Sequence, residues 1–284
     1  MSVSADTCLV CGPHSGSTPI LGGQLRNCRD CGFAWTVGAA EPTPERYDDA
    51  YFEGGGYEDY FVPAPRRFEA ARRLRWLRSI VRPATLLEVG PAGGFFLEAA
   101  RRCGIAAYGI DVSGAATRYA CERLGVPVRH GSFESMVPQG RVDAVCAFHV
   151  LEHVADPWRF LLAARAALRP GGSLVIEVPN IASTAAQRLG TAWPGLQPEF
   201  HRWHFTPGAL AHLVTAAGFQ VVRQDTTVFR YYMPVRYQLR HAHRLLPDDW
   251  STRRLVRLVH PRRGDLIRLV AQLAHSETTG EPNR

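Results

Sequence analysis

The run Leu86-Leu87-Glu88-Val89-Gly90-Pro91-Ala92-Gly93-Gly94-Phe95-Phe96, answered by Asp111 after a second apolar run, restricts this chain more than any other feature. Leu86, Leu87 and Val89 read as a buried parallel strand, after which the glycines turn the chain into a helix beginning near Gly94. Without Cβ atoms, Gly90, Gly93 and Gly94 let the backbone lie against a ligand with its N–H groups exposed. Residues 105–110 form the next strand, and Asp111 stands at its C-terminal end. Open α/β sheets bind ligands at that edge, where a carboxylate can take both hydroxyls of a ribose. The pairing implies a nucleoside ligand.

Which ligand follows from what the turn lacks. Ala92 breaks the G-x-G-x-x-G pattern of a dinucleotide turn, and a phosphate loop needs a lysine, of which the chain has none. The turn instead resembles motif I of the class I S-adenosylmethionine (SAM)-dependent methyltransferases: an acid, a small apolar residue, then spaced glycines. The resemblance continues through Gly109-Ile110-Asp111-Val112-Ser113, through 143–157 and through Leu168-Arg169-Pro170-Gly171-Gly172-Ser173-Leu174, covering roughly residues 66–226. It implies a cofactor site of Glu88, Gly90, Gly93, Gly94, Asp111, Val112, Ser132, Phe133 and His149, with Ser132-Phe133 at the adenine. Ala92 departs from the pattern and sets a methyl near the bound methionine.

The first forty residues carry a second signal. Cys8-Leu9-Val10-Cys11-Gly12 and Cys28-Arg29-Asp30-Cys31-Gly32 space four thiols as two C-x2-C pairs, which suits one tetrahedral zinc ion with no open position. Two disulfides and a redox pair are the other readings. A segment this small has little core, so metal binding would supply most of its folding energy. Cys103, Cys121 and Cys146 fall in helix or strand patterns and are expected to be buried. No apolar run approaches the roughly 20 residues that cross a bilayer, and the N-terminus lacks signal-peptide character, so cytoplasm is expected.

The expected fold is α/β: a doubly wound, Rossmann-like sheet with an antiparallel closing hairpin, preceded by a small zinc ribbon and followed by a helical tail. The divisions are 1–40 for the ribbon, 41–64 for a linker and aromatic lid, 65–233 for the core, 234–275 for the tail and 276–284 for a disordered end. Helices are expected over 66–81, 114–124, 157–168 and from Pro207 to Gly218, with strands over 126–129, 142–148 and 174–178. Segments 219–225 and 228–232 supply the closing hairpin. Leu255, Val256, Leu258 and Val259, then Leu266, Ile267, Leu269, Val270 and Leu273, recur at helical spacing. From Arg230 onward eleven arginines face five acids, nearly the whole formal charge of +7. Such helices dock on the parent domain or on a second copy as a homodimer, or meet an anionic partner.

Methyl transfer to oxygen needs alignment and a proton acceptor, for which histidine is suited. His149 and His153 follow the fourth core strand, and the resemblance sets His153 toward the acceptor and His149 near the sulfonium. Against this, Glu152 or His153 could simply cap the next helix. The loop holding Trp193, Glu199, Phe200, His201, Arg202, Trp203 and His204 is rich in aromatic and basic groups. Tyr51, Trp193, His201 and Trp203 are the expected acceptor contacts, with His153 the preferred base and His149 and His204 in reserve. The expected function is thus O-methylation of a small molecule from SAM. The rivals are an RNA methyltransferase and an inactive binding protein that keeps the fold. RNA is the weaker rival, because the ribbon has only Arg26 and Arg29 as basic residues and no Asn/Asp-Pro-Pro-aromatic run follows strand four.

Overall fold

The computed structural model describes residues 7–13, 15–47, 61–137, 141–228 and 263–273. In chain order the strands are β1 (Thr7–Cys8), β2 (Gly12–Pro13), β3 (Ser17–Ile20), β4 (Leu25–Cys28), β5 (Ala34–Thr36), β6 (Thr85–Val89), β7 (Ala106–Asp111), β8 (Val128–His130), β9 (Val142–Phe148), β10 (Leu168–Pro179), β11 (Trp203–His204), β12 (Phe219–Thr227) and β13 (Leu266–Leu273). The helices are α1 (Pro63–Arg78), α2 (Phe95–Arg102), α3 (Gly114–Leu124), α4 (Pro157–Ala167), α5 (Thr184–Leu189) and α6 (Pro207–Ala216). Four of them begin on side chains that take up orphan N–H groups, α5 through Ser183, which accepts from Ala186 N. Ser113 accepts from Ala116 N, Asp156 from Trp158 N and Arg159 N, and Thr206 from Ala209 N. Asp156 therefore caps α4, which frees Glu152 and His153 from that task.

The core is a seven-stranded sheet in the order β12-β13-β10-β9-β6-β7-β8. β8, β7, β6, β9 and β10 run parallel, while β13 runs antiparallel to both β10 and β12. Leu86, Leu87, Ala144, Val145, Val175 and Ile176 are buried, as strands covered on both faces require. Strand order reverses between β6 and β9, the place where an open sheet leaves a crevice at its carboxyl edge.

Three expectations are corrected here. The second arm of the closing pair is Leu266–Leu273 rather than 228–232, and that stretch is a strand, not part of a helical tail. Leu266, Ile267, Leu269, Val270 and Ala271 are all buried because β13 lies between two strands with both faces covered. A doubly buried strand shows no alternation, so its apolar spacing also suits a helix. The other tail positions assigned to helices, Leu255 to Val259, lie outside the described residues, as do 229–232. Cys103 and Cys121 are exposed and only Cys146 of that trio is buried.

The ribbon is joined to the core by strand pairing. Its sheet runs β3-β4-β5 and then takes β11 as a fourth strand, with Trp203 opposite Trp35 and His204 opposite Ala34. Phe33 stacks on Trp203 at 5.8 Å and tilts against Phe205 at 5.4 Å. Leu25 packs with Ala186, Trp193 and Leu196. Apolar contact thus fixes residues 190–205, called the strap below, to the ribbon.

Candidate functional site

The glycine turn lies at the reversal point. Gly90 (φ +65°), Ala92 (φ +47°) and Gly94 (φ +79°) are left-handed, so Ala92 follows a path suited to glycine despite its methyl. The space left by two absent Cβ atoms is taken by protein: a Cβ on Gly90 would meet Val150 Cγ2 at 2.7 Å, and one on Gly94 would meet Val126 Cγ2 at 2.7 Å. Those glycines let the turn nest against its neighbours. Asp111 closes the turn, accepting from Ala92 N through Oδ2 (2.9 Å) and from Ser113 N through Oδ1 (2.8 Å). Each carboxylate oxygen keeps a lone pair for a further donor. Burial raises the Asp111 carboxyl to about 6 against those two backbone bonds. Glu88, on β6, is buried, and its Oε2 has no hydrogen-bond partner among the described residues. Burial first, then the negative charges of Asp111 and Glu69, lift it to about 8, with Arg73 opposing. A buried orphan carboxylate beside spare ribose-type acceptors fits a cationic nucleoside cofactor.

Beyond β9 lies a dense set of ionisable groups. His149 (φ +57°) sits with Nδ1 3.3 Å from Glu152 Oε1 and Nε2 3.4 Å from Glu177 Oε1. Burial opposes its charge, but the bonds to Glu152 and Glu177 win and raise it to about 9. Glu177 in turn takes Arg73 Nε at 2.9 Å, and Arg73 Nη1 reaches Glu69 at 2.8 Å. His149 is therefore an ion-paired imidazolium at neutral pH.

Three other histidines are contiguous. His153 and His201 meet edge to face at 4.7 Å between centroids, and His204 follows at 6.3 Å from His201. His153 Nδ1–H donates to Phe200 O (3.2 Å) and His201 Nδ1–H to Gly195 O (3.0 Å), which leaves both Nε2 atoms as lone pairs. Burial holds all three neutral: His153 lies below the usual range, His201 well below it and His204 at about 4. Glu152, His153 and His201 bring one ligand-type atom each within 4.8 Å of the others. Tyr47 lies edge-on to His153 at 5.9 Å, and the Phe61 ring lies 3.4 Å from where a Gly93 Cβ would stand. The two described ends flanking 48–60 thus reach the histidines and the turn.

A family model described as a methyltransferase domain matches residues 64–224, more than half of the chain, and includes the turn, Asp111 and the β9 loop. The chain belongs to the methyltransferase domain family. Its core is that of a class I SAM-dependent methyltransferase. A ubiquinone biosynthesis O-methyltransferase of Methylobacterium sp. (strain 4-46) is 37% identical over 160 residues, covering 52% of this chain and 64% of that protein. One from Cereibacter sphaeroides (strain ATCC 17025 / ATH 2.4.3) is 33% identical over 156 residues, covering 51% and 63%. The match spans less than two thirds of those relatives. Among solved structures, a SAM-dependent methyltransferase from Thermotoga maritima superposes with TM-score 0.56 at 19% identity, covering 78% of this chain and 98% of that one. One from Archaeoglobus fulgidus gives 0.56 at 20% identity, covering 79% and 100%. These share the fold.

Within this methyltransferase-family fold the other expected residues separate. Phe133 is buried against Phe160 (5.3 Å), so its ring faces the core while Ser132 stays partly exposed, bonded to Glu134. Val112 O lies 3.0 Å from His130 Nε2. Trp193 and Trp203, expected against the acceptor, are buried packing residues that pin the strap to Leu25 and Phe33. Tyr51 lies outside the described residues. The four ribbon cysteines come together, with Cys8 and Cys31 sulfurs 3.7 Å apart and Cys11 and Cys28 sulfurs 3.6 Å apart. Arg73, Glu177 and Thr36 were not singled out from sequence. Each works through a partner more than a hundred positions away, which leaves no local pattern.

Proposed function

We propose that this methyltransferase transfers the methyl group of SAM to a hydroxyl oxygen of a small-molecule acceptor, with His153 as general base. The observation that carries the reading is the state of His153: neutral, its Nδ1–H held by Phe200 O, its Nε2 a free lone pair among buried groups. His149 already holds a proton and is a poor acceptor of another, and His204, at about 4, is a weak base. The names of the O-methyltransferase relatives support oxygen as the nucleophile.

Bound SAM supplies an electrophilic methyl on a sulfonium. Asp111 would hold the ribose hydroxyls through its two spare lone pairs, and Glu88 would meet positive charge at the turn. Gly90, Gly93 and Gly94 shape that turn. Proton removal at the acceptor falls to His153 Nε2, and the adjacent Glu152 carboxylate favours the imidazolium that results. Buried His201 and His204 help exclude water from that position.

In the ribbon, sulfurs 3.6–3.7 Å apart match the edge, about 3.8 Å, of a tetrahedron with zinc–sulfur bonds near 2.3 Å. Without a cation the thiolates cannot coexist. Cys8, bonded by Cys31, falls to about 5, while burial pushes Cys11 up to about 12. We therefore assign a structural zinc to Cys8, Cys11, Cys28 and Cys31. Among the described residues no helix is long and apolar enough to cross a membrane.

The test is calorimetric titration of S-adenosylhomocysteine into wild type and Asp111→Ala, followed by transfer of labelled methyl to catechol and caffeate in wild type and His153→Ala. The Asp111 variant should bind at least about tenfold more weakly, since a charge-assisted bond contributes about 1.5–3 kcal/mol. Absence of binding to zinc-replete, folded wild type overturns the reading.

A further inference from the structure

We infer that the ribbon holds the strap in place beside His153, with Thr36 as the positioning residue that fixes the tautomer of His204 and anchors the strap. The inference rests on the acceptor site proposed above.

Thr36 stands at the end of β5 and makes three contacts with the strap. Its N–H donates to Arg202 O at 2.9 Å, its Oγ1 donates to His201 O at 2.6 Å, and the same Oγ1 lies 2.9 Å from His204 Nε2. A threonine hydroxyl has one hydrogen. That hydrogen goes to His201 O, so His204 Nε2 must be the donor of the second bond. The ring is thereby held as the Nε2–H tautomer, with Nδ1 as its lone pair.

On its other side the strap bonds to the β9 loop. Arg202 N and Trp203 N both donate to Glu152 O (2.9 and 3.2 Å), and Trp203 Nε1–H donates to Val154 O at 2.7 Å. His153 closes the set through Phe200 O. The strap is therefore clamped between the loop that carries Glu152 and His153 and the ribbon strand that carries Thr36. His153 and His201 take their orientation from carbonyls of the strap itself, whereas His204 is held both by the strap, through the His201 backbone, and by Thr36 of the ribbon.

The experiment compares full-length, zinc-loaded wild type, Thr36→Val and Thr36→Ser. Long-range nitrogen–proton NMR reads the His204 tautomer, and calorimetry reads S-adenosylhomocysteine affinity. Wild type and Thr36→Ser should show His204 protonated at Nε2 and slow to exchange. Thr36→Val should lose that protected proton, with affinity for S-adenosylhomocysteine within twofold of wild type. A wild-type His204 protonated at Nδ1 overturns the inference without any variant, which covers the case of a Thr36→Val chain that does not fold. So does a Thr36→Val protein that keeps the protected Nε2 proton, or a Thr36→Ser protein that loses it. Failure of wild type to bind S-adenosylhomocysteine would instead overturn the proposed function and leave the tautomer readout standing.

Discussion

Arg73 and Glu177, 104 positions apart, meet at 2.9 Å between Nε and Oε1 where α1 crosses the carboxyl end of β10. Glu177 is fully buried and Arg73 nearly so, and Glu69 and His149 complete an alternating row of charges. The helix that leads into the core is thus bound by charge to the β9 loop, where the histidines begin.

Removing the cation should be costly. Arg73→Met leaves Glu69 and Glu177 buried with less positive charge, and the loss expected is about 3–5 kcal/mol. Urea denaturation measures it; a change below about 1 kcal/mol would mean that the row carries little of the stability.

His149 should give stability a specific pH dependence. Its folded value, about 9, lies above the unfolded 6.5, so its stabilisation is complete below pH 6.5 and disappears as pH rises through 9. The span amounts to roughly 3–3.5 kcal/mol. His149→Asn, which tolerates the left-handed backbone, should lack that decline. Parallel melting curves of the two proteins from pH 6 to 10 would disprove it.

SAM binding should release protons. Glu88, at about 8, is largely protonated at pH 7, and a cation bound nearby lowers it. Up to about one proton should leave per SAM bound, and affinity should rise with pH toward 8. Titrations in phosphate and in Tris would differ in apparent enthalpy, and Glu88→Gln would abolish the difference. Equal enthalpies in both buffers would refute it.

Ala92→Gly should stabilise the protein. The left-handed φ of Ala92 costs about 1 kcal/mol relative to glycine. Relief of that strain should raise Tm by about 2–4 °C. An unchanged or lower Tm in differential scanning calorimetry counts against the strain argument.

Cys28→Ser should lose its zinc, read by elemental analysis. Because β11 completes the ribbon sheet, the amides of 199–205 should exchange faster in that variant than in wild type, while those of β6 keep their protection. Equal exchange across 199–205 would show the strap to be independent of the ribbon.

The parts legible in sequence were those whose partners lie close along the chain. Asp111 and the turn sit within one strand–helix–strand unit, and the C-x2-C pairs advertise their geometry by spacing alone. The helix starts at Gly114 and Pro207 came through for the same reason. β13 was misread because a strand buried on both faces carries the same apolar density as a helix, and 38 residues separate it from the end of its partner β12. The tryptophans of the strap announced aromatic content without naming the residues they pack on, Phe33 and Leu25, which lie far away in the chain.

The placement of β13 also bears on how the molecule is made. As the chain leaves the ribosome, β10 and β12 are complete long before residues 266–273 emerge to fill the gap between them. Until then the apolar edge of β10 is an open template for any other nascent strand. From synthesis of residue 179 until that of residue 273, the growing chain therefore carries β10 with one edge unpaired.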